Sequence, residues 1–336
     1  MSSSSASKPD ANHSDGSTKW SSTDGQFRRQ VSSFRETIKA GGKHAPAKGR
    51  YRLIVAYACP WAHRALILKH LKQIPDDVLP VSVVDSLLGP EGWTFPPYGD
   101  THEELKGLGI PGTGYVPGHE KKKRIKDFYL AADPEYSARS TVPIIWDEEL
   151  QTVVNNESAE IIRILNDAFD EYVPAAQKGV TYYPEDLRKD IDSVNEWIYD
   201  KINNGVYKSG FATTQEAYES NVKPLFEALD KVEGILSKSK SGYLVGDRLT
   251  EADIRLFTTI IRFDPVYVGH FKCNISTIRH GYPHLNKWVR ELYWKEPAFK
   301  ETTVFDSIKA HYYQSHPNVN PTRVVPVGPL PPIEPL

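Results

Sequence analysis

Cysteine is scarce in this chain: Cys59 and Cys273 are the two in 336 residues. Two isolated thiols exclude a disulfide framework and fit a reducing compartment. Long apolar runs are missing as well. None approaches the ~20 residues of a membrane-spanning helix, so a soluble chain is expected. Charge of one sign is also lacking: 41 Lys and Arg against 43 Asp and Glu leave a formal −2. That balance gives no electrostatic reason to expect nucleic acid or an anionic membrane as partner. The one basic run, Lys121-Lys122-Lys123-Arg124, is short and reads as a solvated face or a local anion contact. Residues 1–25 are Ser-rich, without the apolar stretch of a secretory signal, and are expected to be a disordered leader. Asp10, Asp15 and Asp24 argue against a transit peptide, although Arg28, Arg29 and Arg35 beside Phe27, Val31 and Phe34 leave mitochondrial targeting open. A cytoplasmic location is the expectation, and no internal repeat is seen.

What is present is ordinary for a folded chain. Its length exceeds what one core usually sustains, so two domains with tails are expected. The informative stretch is Ala58-Cys59-Pro60-Trp61-Ala62-His63-Arg64. It follows the strand-like run 52–57 and precedes residues 65–71, where Leu66, Ile67, His70 and Leu71 recur at helical spacing. Pro60 suits a first helical turn, because its missing N–H would be unpaired there anyway. Cys59 therefore stands at a helix start, whose free amides favour thiolate, the nucleophilic form. The second cysteine of a C-x-x-C pair would fall at Ala62, so any disulfide formed by Cys59 must be mixed. A buried structural cysteine is the plainer alternative.

Along the chain, 49–57 reads as strand, 60–73 as helix and 78–85 as strand. Residues 86–118, with Trp93, Phe95 and Tyr98 among Gly and Pro, form a connection long enough to suggest a functional loop. Residues 126–132 read as a short helix, 141–146 and 151–154 as a hairpin, and 158–168 as a helix. After a linker at 170–184 the reading is helical: 185–204, 214–236 with a kink at Pro224, and 283–294. Thr250 with Asp253 makes a capping-box variant, with Leu249 and Ile254 placed as a hydrophobic staple. Residues 315–336 are Pro-rich and expected to be extended. Glu157 and Ser158 open a predicted helix, where amides and hydroxyl can take up a carboxylate and the Glu can pair with an ammonium. Simple capping is the alternative there.

The order β-α-β-α-β-β-α, led by a helix-start cysteine, resembles the thioredoxin fold of glutathione transferases. The expected fold class is α/β plus all-α: a thioredoxin-like domain with a mixed four-stranded sheet at 50–169, and an all-helical domain at 185–310. An N-terminal extension at 26–49, the linker 170–184 and an extended tail at 311–336 complete the division. The cysteine stretch, Gly92-Trp93-Thr94-Phe95-Pro96, Thr141-Val142-Pro143, Asn156-Glu157-Ser158 and Thr250-Glu251-Ala252-Asp253 together resemble the Xi class, the glutathionyl-hydroquinone reductases. Residues 262–274, 311–316 and 320–322 extend the likeness.

The resemblance implies a catalytic Cys59 and a glutathione site at Trp93, Val142, Glu157 and Ser158. A Val142-Pro143 bond in the cis form would offer the Val142 backbone to glutathione. A basic residue before Val142 is also implied; Lys123, Arg124 and Lys126 compete for the place, with Arg124 the candidate. Tyr207, Tyr267 and one of the neighbours Tyr312 and Tyr313 are the implied quinol contacts, while Cys273 reads as structural. Glutathione is then the co-substrate, no metal is implied, and the chain pairs as a homodimer through its helical domain. The implied reaction removes glutathione from a glutathionyl-hydroquinone through a Cys59 mixed disulfide. An omega-like thioltransferase or dehydroascorbate reductase, or a non-catalytic glutathione-transferase-like binding module, are the competing readings.

Overall fold

The computed structural model describes residues 21–22, 24–95 and 108–336. Most of the expected leader, and Pro96 and Tyr98 of the long loop, lie outside the described residues. The apolar run Tyr51–Val55 forms β1, and Pro60–Leu71 forms α1, with Cys59 as its N-cap. Then come β2 at Val81–Val83, a two-stranded hairpin of β3 at Leu88–Gly89 and β4 at Gly92–Trp93, and α2 at Ile125–Ala132. β5 at Ile144–Asp147, β6 at Thr152–Asn155 and α3 at Ser158–Asp167 close the layer. The main sheet runs β2-β1-β5-β6; β1 and β2 are parallel, and the other pairs antiparallel. This is the mixed four-stranded sheet expected.

β2 is shorter than the predicted 78–85 strand. Val78 and Leu79 both donate to the Pro75 carbonyl in a turn instead, and pairing begins only past Pro80, which has no N–H to give.

The rest is helical: α4 at Arg188–Ile198, α5 at Gly205–Gly210, α6 at Gln215–Lys238, α7 at Glu251–Ile260, α8 at Ile278–Gly281, α9 at Pro283–Lys295, α10 at Pro297–Glu301 and α11 at Phe305–Ser315. The single predicted helix at 185–204 is interrupted by a π turn, Tyr199–Asn203, and a second π turn spans Phe263–Tyr267. α6 continues through Pro224. The Thr250–Asp253 capping box forms as read.

The tail expected from 311 begins later, because α11 carries the helical domain through Ser315. Ile308, His311, Tyr312 and Ser315 are buried at i, i+3, i+4 and i+7, a core-facing stripe hidden in the sequence by the proline-rich run that follows. The N-terminal extension is docked along both layers. Thr213 N donates to Gly25 O and Asn221 to Gln26 on the helical side, while Glu36 N donates to Val154 O at the sheet edge.

Candidate active site

Cys59 sits where β1 ends and α1 begins, extended at φ −75°, ψ 120° with Pro60 in the first turn. Arg262, fully buried at the end of α7, donates to the Tyr57 and Ala58 carbonyls at 3.1 Å each and to His63 Nδ1 at 3.0 Å. It fastens the helical domain to the turn that presents the cysteine. Cys59 is 8% exposed, and its thiol donates to the Val142 carbonyl at 3.5 Å. The Val142–Pro143 bond is cis.

The expectation of a thiolate is corrected by the burial of the sulfur. Burial pushes the Cys59 thiol up, since a buried charge loses its hydration. The Ala62 and Trp61 amides and the guanidiniums of Arg29 and Arg262 pull the other way, as a helix start should, but do not outweigh it.

Glu157 is the N-cap of α3; its carboxylate accepts from Ala159 N at 3.2 Å and from Ser32 Oγ at 3.0 Å. Ser158 Oγ accepts from Arg64 at 3.3 Å, and Arg64 also donates to Asn203 at 2.9 Å. Arg64 lies on α1 with Cys59 at its start, so one buried guanidinium ties the two helix starts to the second domain. Burial lowers its pKa to about 9. Trp93 stacks on His311 at 4.9 Å between centroids. Arg124 lies beside it through the Thr94–Arg124 bridge, with its guanidinium on Glu91 and Asp127.

Three of the predicted tyrosines meet. Tyr312 Oη is 2.5 Å from Tyr207 Oη and 2.9 Å from Tyr267 Oη. Tyr207 in turn stacks against Trp61, 6.3 Å between centroids and 30° apart, which brings the cluster to the first turn of α1. Burial pushes Tyr207 up to about 12 and the other two well above 10, so all three stay protonated at neutral pH. Three hydroxyls hold three hydrogens, and the two bonds between them use two, leaving one O–H to offer a ligand. Tyr313 does not join: its hydroxyl donates to Pro265 O at 3.2 Å. Cys273 is fully buried against backbone carbonyls, as a structural residue would be.

Sequence reasoning missed Arg64, Arg262 and His311 as site-builders. All three lay inside the stretches singled out, but an arginine's reach to a carbonyl some 200 residues away leaves no local signal. A groove of about 970 Å³ lined by Arg35, Lys39, Glu160 and Arg163 shares no residue with this site, and two of its cations already pair, Arg35 with Glu160 and Arg163 with Glu251.

Glutathione S-transferase N-terminal and C-terminal domain models match residues 58–168 and 215–291. The chain is 54% identical over 319 residues to a glutathione S-transferase omega-like 2 of Schizosaccharomyces pombe, covering 94% of this chain and 97% of that one. It is 47% identical over 312 residues to the glutathionyl-hydroquinone reductase PcpF of Sphingobium chlorophenolicum, covering 93% and 92%. Among solved structures, the Xi glutathione transferase ECM4 of Saccharomyces cerevisiae in complex with glutathione superposes with a TM-score of 0.86 at 48% identity, over 93% of this chain and 99% of that one. The chain belongs to the glutathione S-transferase family. Within it, the likeness is to the Xi class.

Proposed function

We propose that this protein is a glutathionyl-hydroquinone reductase, converting a glutathionyl-hydroquinone and glutathione into the hydroquinone and oxidised glutathione. The observation that carries this reading is the pairing of one cysteine at a helix start with a cluster of protonated tyrosines at the same helix turn. The glutathionyl group lies with its backbone on Val142 and its γ-glutamyl end at Glu157 and Ser158; Trp93 and Arg124 serve the other end. Cys59 ionises, and its sulfur attacks the glutathionyl sulfur. With the ring in its keto form the carbon already holds its proton, and as the new S–S bond forms the carbon–sulfur bond breaks and its electron pair returns through the ring to the keto oxygen, restoring the aromatic quinol. Tyr207, Tyr267 and Tyr312 surround the ring, and their spare O–H donates to a quinol oxygen and favours the keto form in which carbon accepts the proton. A second glutathione then releases Cys59.

The test is Cys59→Ser with a glutathionyl-hydroquinone as substrate. Quinol release falls at least about a thousandfold, and mass spectrometry finds a glutathione adduct on Cys59 of the wild type after a single turnover. Full activity in the variant, or no adduct in the wild type, refutes the mechanism. Rapid reduction of dehydroascorbate or small mixed disulfides with no quinol release identifies an omega-like thioltransferase instead. Glutathione binding with no thiol transfer at all identifies a binding module. Pairing through the helical domain is proposed with it, to be checked as twice the 37.9 kDa chain mass by light scattering.

A further inference from the structure

Residues 24–38 cross from the helical domain to the sheet edge past the tyrosine cluster. Phe27 is buried and stacks on Tyr207, 6.0 Å between centroids. Two residues on, the exposed Arg29 holds its guanidinium 4.0 Å from the centroid of Trp61, the ring that itself stacks on Tyr207. The segment is pinned on either side of Arg29, by Asn221 on Gln26 and by Arg139 N on Gln30 Oε1 at 3.1 Å. Its neighbouring arginines are neutralised, Arg28 by Asp24 and Arg35 by Glu160. Arg29 has no carboxylate partner among the described residues; its charge reaches Cys59 and Tyr207, opposing in part the burial that raises the pKa of each, and bears on Arg139, the cation of the loop leading to Val142.

The proposed reaction gives such a cation a use. Cys59 attacks the glutathionyl sulfur in line with the bond to the ring carbon. The second thiolate must attack that same sulfur in line with its bond to Cys59, and so arrives from the side the ring has left. It therefore approaches Cys59 from the side of the Tyr207 ring, which stacks on Trp61. Glutathione carries two carboxylates, and in the reading above the first glutathionyl group directs its own toward Ser158 and Arg124, the latter shared with Glu91 and Asp127, so the second glutathione needs a cation of its own.

We propose that Arg29 binds a carboxylate of this second glutathione at the mouth of the tyrosine cluster. The subsite rests on the reductase reading above. In the step it serves, a bond forms between the two glutathione sulfurs, the bond to Cys59 breaks, and Cys59 leaves with the electron pair as thiolate.

The experiment loads Cys59 with oxidised glutathione, so that no quinol is needed, and follows loss of the mixed disulfide by rapid-quench mass spectrometry. Glutathione and 2-mercaptoethanol, which has no carboxylate, are compared as attacking thiols. In Arg29→Gln the second-order rate with glutathione falls roughly fivefold, the size expected of an exposed charge pair, while the rate with 2-mercaptoethanol holds. Arg29→Lys recovers part of the loss, and Arg28→Gln, with the same net charge, behaves as wild type. Equal slowing with both thiols, an equal effect in Arg28→Gln, or no effect in Arg29→Gln overturns the subsite. A wild type that loads from oxidised glutathione but not from a glutathionyl-hydroquinone refutes the reductase reading while leaving the subsite result standing. No loading from either refutes both.

Discussion

The wall of the site that comes from the α/β layer is built at the ends of strands and helices, whereas the wall from the helices is built of side-chain tips. On the first side, a strand end presents Cys59, a peptide carbonyl presents itself at Val142, and a helix start presents Glu157 and Ser158. Each is made by three to seven consecutive residues. On the second side, Tyr207, Tyr267 and Tyr312 come from α5, a π turn and α11, and meet through their hydroxyls and through tilted and edge-on ring contacts. A backbone site is fixed once its secondary structure forms; a site of side-chain tips depends on every packing contact behind it. The two are joined by Arg262 and Arg64, buried cations that donate to neutral groups across the domain junction.

Removing the junction should have the largest effect. Arg262→Met leaves the Tyr57 and Ala58 carbonyls and His63 Nδ1 without a buried donor, which costs about 3 kcal/mol or more. It also withdraws a positive charge from Cys59, so alkylation of the thiol by iodoacetamide at pH 7 slows. Urea unfolding read at constant slope, with the alkylation rate in native buffer, checks both. A loss under 1 kcal/mol would mean that the domains hold together without this bridge.

Acid should then separate the walls. His270 and His311 are held by burial at about 3 and about 4, and burial drives His316, and His63 where α1 meets Arg262 and Thr302 of the helical domain, well below 6.5. For a lowered histidine the unfolded state binds protons that the native state refuses, so stability is lost as pH falls below 6.5. Between pH 6.5 and 5.5 this amounts to roughly 1 kcal/mol for each of the four. The α/β side is tied by carboxylates instead. Asp147 is raised by burial, but bonds from Arg50 and His44 bring it net below 3.8, and Arg35 lowers Glu160. Their contribution persists until pH falls below the usual carboxylate range. Hydrogen exchange resolved by peptide should therefore show α11 and the Phe263–Tyr267 turn opening near pH 5.5, while β1, β5 and α3 stay protected. Simultaneous opening would show that the junction transmits the loss at once.

The same contrast explains what the sequence discloses. Cys59-Pro60, Val142-Pro143 and Glu157-Ser158 are legible because the atoms that form the site are neighbours in the chain. The four-stranded sheet is legible for the same reason, since β1, β5 and β6 are apolar runs bounded by turns. The charge state of Cys59 is only half legible: the helix start argues for thiolate, but the burial that outweighs it is made by distant residues. Arg29 reads in the sequence only as one of three arginines near the N-terminus. What sets it apart from Arg28 and Arg35 is that those two find carboxylates, a fact of tertiary packing alone.

The choice between Tyr312 and Tyr313 shows where a better reading was available. Successive helical residues point about 100° apart, so one helix face cannot use both. Both phenols are buried on α11, and the one on the stripe of His311, the ring beneath Trp93, is Tyr312. The two phenols are therefore predicted to part company. Tyr312→Phe removes the hydroxyl that joins Tyr207 to Tyr267 and should lower quinol release roughly tenfold or more. Loading of Cys59 by oxidised glutathione, in which no ring oxygen takes part, should stay within about twofold of the wild-type rate. Tyr313→Phe loses one bond to Pro265 O, worth about 1 kcal/mol of stability, and should leave quinol release within about twofold of wild type. Stopped-flow traces of both half-reactions decide it. If Tyr312→Phe slows the loading step as much as quinol release, the helical wall is acting through the position of Cys59 and not through the ring oxygens.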